Sequence, residues 1–329
     1  MLERALEPPY RVRAFRTAAA RAESVPGDEL LDRALAETLR ELPGIGEATA
    51  RCITESLAGV VPAYLQRLEA SVEPLADGGA ELRAALRGDC HTHSDWSDGG
   101  SPIREMAETA RDLGHEYIVL TDHSPRLTVA RGLTAARLER QLDEVAALND
   151  DLVPFRILTG IEVDILDDGR LDQKPDLLAR LDLVVASVHS GLRMPSDEMT
   201  PRMVAAIANP HTDVLGHCTG RLVKGGRGTR PESQFDAEIV FAACERFGVA
   251  VEVNSRPERL DPPRRLLRMA VETGCLVSID TDAHAPGQLD WQPYGCARAE
   301  ECEVPVETIV NTWTADQLLA WTADHGVRP

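Results

Sequence analysis

The pattern of hydrophobic and polar positions changes near residue 88. Before this point apolar residues recur every three or four positions, for example from Leu30 to Leu39, which predicts amphipathic helices over residues 1–70. The segment 42–46 interrupts this spacing with a proline and two glycines, and helical spacing returns at 48–57. The first part of the chain is therefore expected to be a small all-α domain.

Residues 71–87 show little periodicity beyond a short helix candidate at 80–86, and their proline and glycines predict a linker. Over 88–329, short β-type runs alternate with longer amphipathic stretches. This alternation predicts βαβ units with a parallel sheet, and about seven strands suit a closed α/β barrel. The strand candidates are the segment leading into His91 and the runs 117–121, 157–163, 183–188, 214–216, 249–253 and 276–280. Helix candidates lie near 102–113, 134–149, 200–208, 234–246 and 263–273.

Composition and charge narrow the class of protein. Hydrophobic residues make up 43% of the 329 positions and charged residues 27%, as in an ordinary globular protein. The formal net charge of −19 argues against a broad basic surface for nucleic acid, although bound cations would cancel part of it locally. The sequence shows neither a membrane-spanning apolar run nor a signal peptide, so we expect a cytoplasmic protein that does not bind membranes. The seven dispersed cysteines are expected to be reduced thiols.

Six of the seven strand candidates run into a residue that can bind a metal ion. In a parallel barrel the carboxyl ends of the strands meet at one face, so ligands far apart in the sequence converge there. His91 and His93 lie two positions apart, as do Asp282 and His284, and alternate residues of a strand face the same side. The residues at these strand ends are His91, His93, Asp98, Asp122, His123, Glu162, His189, His217, Asp282 and His284.

A single histidine at a strand end is more often a hydrogen-bonded structural residue than a metal ligand. Here, however, six of the nine histidines occupy such positions, together with Asp98, Glu162 and Asp282. Imidazole suits zinc, manganese and iron, and carboxylates can bridge two ions. The sequence therefore predicts a multinuclear metal centre and leaves the native metal open.

The segments that carry these residues resemble the motifs of the polymerase-and-histidinol-phosphatase (PHP) family. The resemblance implies a distorted (β/α)7 TIM-like barrel, two to three divalent metal ions (Mn, Zn or Fe) and phosphoesterase activity of the EC 3.1 class. The matching segments are Gly88-Asp89-Cys90-His91-Thr92-His93-Ser94, Ser97-Asp98-Gly99, Leu120-Thr121-Asp122-His123-Ser124, Gly160-Ile161-Glu162, Ser187-Val188-His189 and Thr281-Asp282-Ala283-His284.

The same resemblance implies how the ligands are shared among the ions. Paired ions in such centres activate water and clamp the oxygens of an in-line phosphoryl displacement. Glu162 is expected to bridge two ions, and the residues expected to be catalytic are Glu162, His91, His93 and Asp282. One ion would be held by His91, His93, Glu162 and Asp282, a second by Glu162, His189 and His217, and a third by Asp98, His123 and His284.

More narrowly, the barrel resembles the C-terminal exonuclease part of bacterial family X DNA polymerases, through 215–221 and the motif Glu252-Val253-Asn254. Near the N-terminus, Leu42-Pro43-Gly44-Ile45-Gly46 resembles the hairpin of a helix-hairpin-helix motif, in which backbone N–H groups approach a DNA phosphate. Gly44, Ile45 and Gly46 are therefore candidate DNA-binding residues, and an ordinary turn between helices is the alternative. Too few residues separate this hairpin from the barrel for a polymerase palm, so polymerase activity is not expected.

Basic residues near the strand ends are candidates for binding substrate phosphates. Several belong to a glycine-rich loop after His217, and Arg221 is preferred among them because it lies nearest a predicted ligand. For each single residue, a solvated surface position is the alternative. The candidates are Arg221, Lys224, Arg227, Arg230, Arg256 and Arg259, and Asn254 is expected to line the pocket.

Three hypotheses about function follow. The leading one is a metal-dependent phosphoesterase that hydrolyses phosphodiester bonds, as a DNA 3′–5′ exonuclease or a DNA end-processing enzyme in DNA repair, with DNA as its partner. The second is a small-molecule phosphatase of the histidinol-phosphatase type, which acts on a phosphate ester. The third is a DNA-binding accessory protein with a catalytically silent barrel. An amidohydrolase is disfavoured because no strand end carries the bridging lysine that such barrels use. The oligomeric state stays open.

Overall fold

The computed structural model of the chain describes residues 1–4, 7, 9–70, 75–225 and 228–324. The chain forms two compact units, Met1–Leu75 and Ala76–Pro329. Arg227, part of the predicted linker and the last positions of the predicted barrel range lie outside the described residues. The assignment of a separate function to each unit stays a prediction.

The first unit is helical throughout its described elements. Its helices pack around a small buried cluster that includes Ala18, Leu30, Leu39 and Ile45. Ile45 lies in the segment between two helices and is 6% exposed, so its side chain anchors this turn to the core. The helices are α1 (Pro9–Glu23), α2 (Gly27–Leu35), α3 (Glu47–Leu57) and α4 (Ala63–Ala70), with a 3₁₀ turn at Leu39–Glu41.

The second unit is built on seven parallel strands, each hydrogen-bonded to the next in sequence order. With helices between consecutive strands, this arrangement confirms the predicted (β/α)7 TIM-like barrel. The strands are β1 (Gly88–Thr92), β2 (Tyr117–Leu120), β3 (Arg156–Asp164), β4 (Leu183–Ser187), β5 (Val214–Leu215), β6 (Ala250–Asn254) and β7 (Val277–Asp280). The helices are α5 (Ala80–Ala85), α6 (Ile103–Asp112), α7 (Ala135–Leu152), α8 (Pro175–Leu178), α9 (Ser196–Ile207), α10 (Ala237–Phe247), α11 (Arg264–Thr273), α12 (Gln292–Glu301) and α13 (Ala315–Ala323).

The strands are apolar because the barrel buries both of their faces. β4 reads Leu-Val-Val-Ala-Ser and is buried at every position. Parallel sheets are covered on both sides, which requires near-continuous hydrophobic runs instead of alternation. β6 is one of several strands that also bury polar residues, and its Glu252 and Asn254 are both 0% exposed. Buried polar side chains in an otherwise apolar strand need specific partners, and their position at the carboxyl end of β6 points to the site.

The barrel closes between β7 and β1 through individual contacts. The backbone N–H of His93 donates to the carbonyl of Ala283 at 2.8 Å, and a parallel bridge joins Thr92 to Ala283. Within the two strands, the Asp280 carboxylate accepts a hydrogen bond from the Cys90 backbone, and it accepts a second from the Asn311 amide, both at 2.8 Å. These contacts bring the ligand-bearing ends of the first and last strands side by side.

Three described helices of the second unit, α8, α12 and α13, were not predicted from the sequence. α12 has no clear polar face because Cys296, Ala297 and Ala299 are all buried within it. It also contains Gly295, where a side chain would clash, since a Cβ atom there would lie 2.2 Å from Ser255 Oγ. A helix enclosed on several sides loses the amphipathic period that marks helices in a sequence. Among the described residues, no helix is long and apolar enough to cross a membrane.

Candidate metal centre

All the predicted metal ligands lie together at the carboxyl ends of the strands, around the carboxylate of Glu162. Glu162 belongs to β3 and is 1% exposed. Five histidine nitrogens face its two oxygens. The distances are 2.8 Å to His123 Nδ1, 2.8 Å to His217 Nε2, 3.2 Å to His189 Nε2, 3.4 Å to His91 Nε2 and 3.6 Å to His93 Nε2.

A second focus is the carboxylate of Asp98. Its Oδ1 lies 3.4 Å from His123 Nε2 and 3.4 Å from His284 Nε2. His123 therefore faces Glu162 with one ring nitrogen and Asp98 with the other. The Asp98 side chain is 38% exposed, whereas Glu162 is enclosed, so the site opens to solvent on the Asp98 side.

Three sets of side chains are close enough to share an ion, because the ligand atoms of each set lie within 4.8 Å of one another. These sets overlap at His93 and His123, whereas the grouping implied by the family resemblance assigns each of the two to a single ion. How the ligands divide between ions therefore stays a prediction. The sets are His93, Asp98, His123 and His284; then His91, His93 and Asp282; then His123, Glu162 and His189.

Unsatisfied buried atoms show that this cluster fits metal ions. His91 Nε2, both ring nitrogens of His93, His189 and His217, and both oxygens of Glu162 are buried without a hydrogen-bond partner. Each buried polar atom without a partner costs about 1–3 kcal/mol, and native proteins contain few of them. So many in one cavity, all of atom types that bind divalent cations, fit a centre that ions complete.

The electrostatics of the cavity favour positive charge beside Glu162. Burial alone would raise the pKa of Glu162, but His189, His91 and His123 hold it well below its ordinary value. Burial would lower the pKa of His189, but Glu162 and Asp164 raise it to about 9. For His217, burial and Arg259 dominate and lower the pKa to about 4, so this imidazole is neutral. The cavity therefore contains both a stabilised carboxylate and neutral nitrogen donors.

The loop that presents Asp98 is folded around Asp122. The Asp122 carboxylate accepts hydrogen bonds from the Ser94 backbone at 2.9 Å, from Ser94 Oγ at 2.6 Å and from the Gln141 amide at 2.6 Å. The backbone of Gly99 lies close to that of Ser94, since a Cβ atom at Gly99 would be 2.5 Å from the Ser94 carbonyl oxygen. Asp122 thus shapes the loop after β1, and its neighbour His123 faces the ligand cluster.

Asp282 reaches the site through a turn. β7 ends at Asp280, and Asp282 has a φ of 52°, in the left-handed region that costs free energy for a residue other than glycine. Its carboxylate accepts hydrogen bonds from Asn254 Nδ2 at 3.2 Å and Arg259 Nε at 3.1 Å, which hold this conformation. The explanation by strand alternation is therefore wrong for Asp282 and His284, although their side chains meet at 3.4 Å as expected.

The predicted substrate-binding residues occupy different positions. Arg256 lies at the site, with Nη1 3.2 Å from His284 Nδ1 and 3.2 Å from the Asp282 carbonyl oxygen. The guanidinium of Arg221 instead donates to the backbone carbonyls of Arg259 and Leu260. Asn254 and Arg259 are buried and both donate to the Asp282 carboxylate, and Asn254 also accepts the Arg256 backbone N–H at 3.1 Å. Arg230 donates to the Gly220 carbonyl, and Lys224 is exposed. Arg256 contacts two of the predicted ligands, and phosphate binding by Arg256 and by Arg221 stays a prediction.

Two carboxylates without a predicted role lie behind the histidines. Glu252 Oε1 lies 2.6 Å from His91 Nδ1, and Asp164 Oδ1 lies 3.5 Å from His189 Nδ1. Both carboxylates are buried. Glu252 belongs to the motif Glu252-Val253-Asn254 in β6. A charged residue inside an otherwise apolar strand was the sequence feature that could have indicated its place at the site.

The hairpin residues of the first unit form a tight turn. Gly44 has a φ of 88°, and a Cβ atom there would lie 2.6 Å from Thr17 Cγ2, so glycine is required. The backbone N–H of Gly46 donates to Thr49 Oγ1 at 2.9 Å as α3 begins. This geometry is compatible with a helix-hairpin-helix turn, and DNA binding by it stays a prediction.

Comparison with known proteins adds to this geometry. The family described as "PHP domain" matches residues 89–256. The chain is 41% identical over 226 residues to the DNA polymerase/3′-5′ exonuclease PolX of Bacillus subtilis. The aligned region covers 69% of this chain and 39% of that protein. The chain therefore spans about two fifths of the length of this relative. It is also 30% identical over 207 residues to a "Probable phosphatase" of Thermoanaerobacter sp., covering 60% of this chain and 78% of that protein.

Among solved structures, the histidinol phosphate phosphatase of Lactococcus lactis, in complex with zinc, L-histidinol and phosphate, aligns with a TM-score of 0.47 and 17% identity. The alignment covers 66% of this chain and 94% of that chain.

Proposed function

This chain belongs to the PHP domain family of metal-dependent phosphoesterases, and we propose that it hydrolyses phosphodiester bonds at the 3′ ends of DNA. The observation that carries the proposal is the 41% identity to PolX of Bacillus subtilis, whose name includes a 3′-5′ exonuclease activity. The convergence of five histidines on Glu162 supports retained chemistry, because a catalytically silent barrel has no need for so many unsatisfied ligand atoms.

The proposed ligands are His91, His93, Asp98, His123, Glu162, His189, His217, Asp282 and His284. Divalent ions held by them would lower the pKa of water and stabilise charge on the phosphoryl oxygens. Glu162 contributes a negative charge at the centre of the five histidines that surround it. Asp98 lies at the open side, where a DNA end can approach.

Arg256 is the residue that we assign to phosphate binding. Its side chain is 12% exposed and its guanidinium lies beside Asp282 and His284, so it reaches the cavity from the rim. Nη1 already contacts these ligands, while contact with the Trp291 ring at 5.9 Å limits the freedom of the side chain. A fixed guanidinium can donate two parallel hydrogen bonds to a phosphate.

A phosphomonoesterase is the second candidate. It is favoured by the similarity to a "Probable phosphatase", of which this chain covers 78%. The same ligands suit both reactions, because the two substrates differ only in whether the phosphate carries a second ester group.

The test compares the two substrates on one preparation. The Mn²⁺-loaded protein is incubated with an end-labelled DNA duplex and, separately, with histidinol phosphate and other phosphomonoesters. Stepwise shortening from the 3′ end supports the exonuclease, whereas phosphate release from monoesters with intact DNA supports the second candidate. A His91→Ala/His93→Ala variant is the control, and full activity in that variant would exclude the assigned site. If the protein binds no metal and cleaves neither substrate, the result supports the third hypothesis, an accessory protein with a catalytically silent barrel.

A further inference from the structure

β6 supplies no predicted ligand, yet it carries a buried carboxylate at the site. Glu252 is 0% exposed and lies on β6 between β5 and β7. Burying a charged group in a barrel interior is unfavourable unless it is paired and hydrogen-bonded. The partners of Glu252 therefore indicate its role.

Both oxygens of Glu252 contact the ligand cluster. Oε1 lies 2.6 Å from His91 Nδ1. Oε2 accepts the backbone N–H of His217 and a hydrogen bond from Asn254 Nδ2 at 3.3 Å. The same Asn254 amide donates to Asp282 Oδ2 at 3.2 Å. Glu252 is thus linked to His91 in β1, to His217 after β5 and, through Asn254, to Asp282 after β7.

We propose that Glu252 is a positioning residue that fixes the tautomer and the direction of His91. A neutral imidazole binds a metal through one nitrogen and carries its proton on the other. With the Nδ1 proton donated to Glu252, the lone pair of Nε2 points towards Glu162, 3.4 Å away. The negative charge of Glu252 also makes His91 a stronger donor to a cation. This inference rests on the proposed metal centre.

Glu252 differs from the groups behind the other histidines. His284 Nδ1 faces the backbone carbonyl of Asp282 at 2.9 Å, which fixes direction without adding a full charge. Asp164 is 3.5 Å from His189 Nδ1, beyond a good hydrogen bond. Water cannot readily replace Glu252, because both it and His91 are fully buried. Its removal should therefore affect His91 more than any comparable change at His189 or His284.

The test measures metal binding directly. Zn²⁺ affinity and stoichiometry are determined for the wild type and for Glu252→Ala and Glu252→Gln. We expect Glu252→Ala to weaken the affinity of one ion by about 10–100-fold, the usual effect of removing a carboxylate behind a ligating histidine. Glu252→Gln can still accept the Nδ1 proton of His91 through its amide oxygen, but its NH2 group then faces the His217 backbone N–H and it has no charge, so part of the loss should remain. Long-range ¹H–¹⁵N spectra should show His91 protonated at Nδ1 in the Zn²⁺-loaded wild type.

Asp213→Asn is the matched control, since Asp213 is also a buried carboxylate and accepts the Val184 backbone N–H at 2.7 Å. Thermal unfolding of each metal-free protein separates lost stability from lost affinity. Unchanged Zn²⁺ affinity in Glu252→Ala, or an equal loss in Asp213→Asn, overturns the inference. If the wild type itself binds no Zn²⁺ or Mn²⁺, the proposed metal centre fails and the inference fails with it. If only the exonuclease assay fails, the inference stands.

Discussion

Replacing Glu162 by glutamine tests the centre of the proposed site with a change of charge and almost no change of shape. The five histidine nitrogens lie 2.8–3.6 Å from the carboxylate, so an ion held by these histidines would lie within about 4 Å of the Glu162 charge. Two unit charges at about 4 Å interact by about 4 kcal/mol at an effective dielectric constant of about 20. Removing this charge should therefore weaken ion binding by about a thousandfold.

The assay combines metal content with turnover of a chromogenic phosphodiester, bis(p-nitrophenyl) phosphate. Glu162→Gln should lose ions after dialysis and lose about three orders of magnitude in kcat/KM at low metal concentration. Glu139→Gln is the control, because Glu139 lies on α7 with its side chain 56% exposed. If Glu162→Gln keeps its ions and more than a tenth of the wild-type kcat/KM, Glu162 is not a shared ligand and the reasoning is refuted.

Three further predictions concern other parts of the chain. Arg256→Ala should lower kcat/KM by about 10–100-fold, the effect of losing a hydrogen bond to a charged group, and Arg256→Lys should recover part of it. If Arg256→Ala keeps the wild-type kcat/KM, Arg256 does not bind the substrate phosphate. Burial, with a further contribution from Arg83, lowers the pKa of His115 to about 3 from its usual 6.5. The stability that neutral His115 contributes is therefore complete above pH 6.5 and is lost as pH falls towards 3, by about 1.4 kcal/mol per pH unit. In chemical denaturation, the free energy of unfolding of His115→Gln should fall less steeply with decreasing pH than that of the wild type. Gly44→Ala should displace the turn, because a Cβ atom at a φ of 88° would lie 2.6 Å from Thr17 Cγ2. Loss of about 1 kcal/mol in backbone contacts to a phosphate should weaken duplex binding in fluorescence anisotropy by about fivefold, and unchanged affinity would argue against the hairpin as a DNA contact.

Much of the site was predictable because its ligands lie at the ends of apolar runs. His189 and His217 come two residues after the ends of β4 and β5, and parallel strands bring such ends together whatever their distance in the sequence. The position of Asp282 was predicted for an incorrect reason, since its direction depends on a left-handed turn. Sequence spacing does not reveal such a turn at a residue other than glycine.

The sequence by itself determined the barrel, because the alternation of short β-type runs with amphipathic stretches is a local property of the chain, and it predicted which residues stand at the strand ends. Only the tertiary structure decided what each polar group contacts. Glu252 is 161 positions from His91, and Arg221 turns away to the carbonyls of Arg259 and Leu260. Side-chain partners across a barrel depend on the twist, register and closure of all seven strands together. No local pattern encodes that geometry, so the carboxylate behind His91 became visible only in the folded chain.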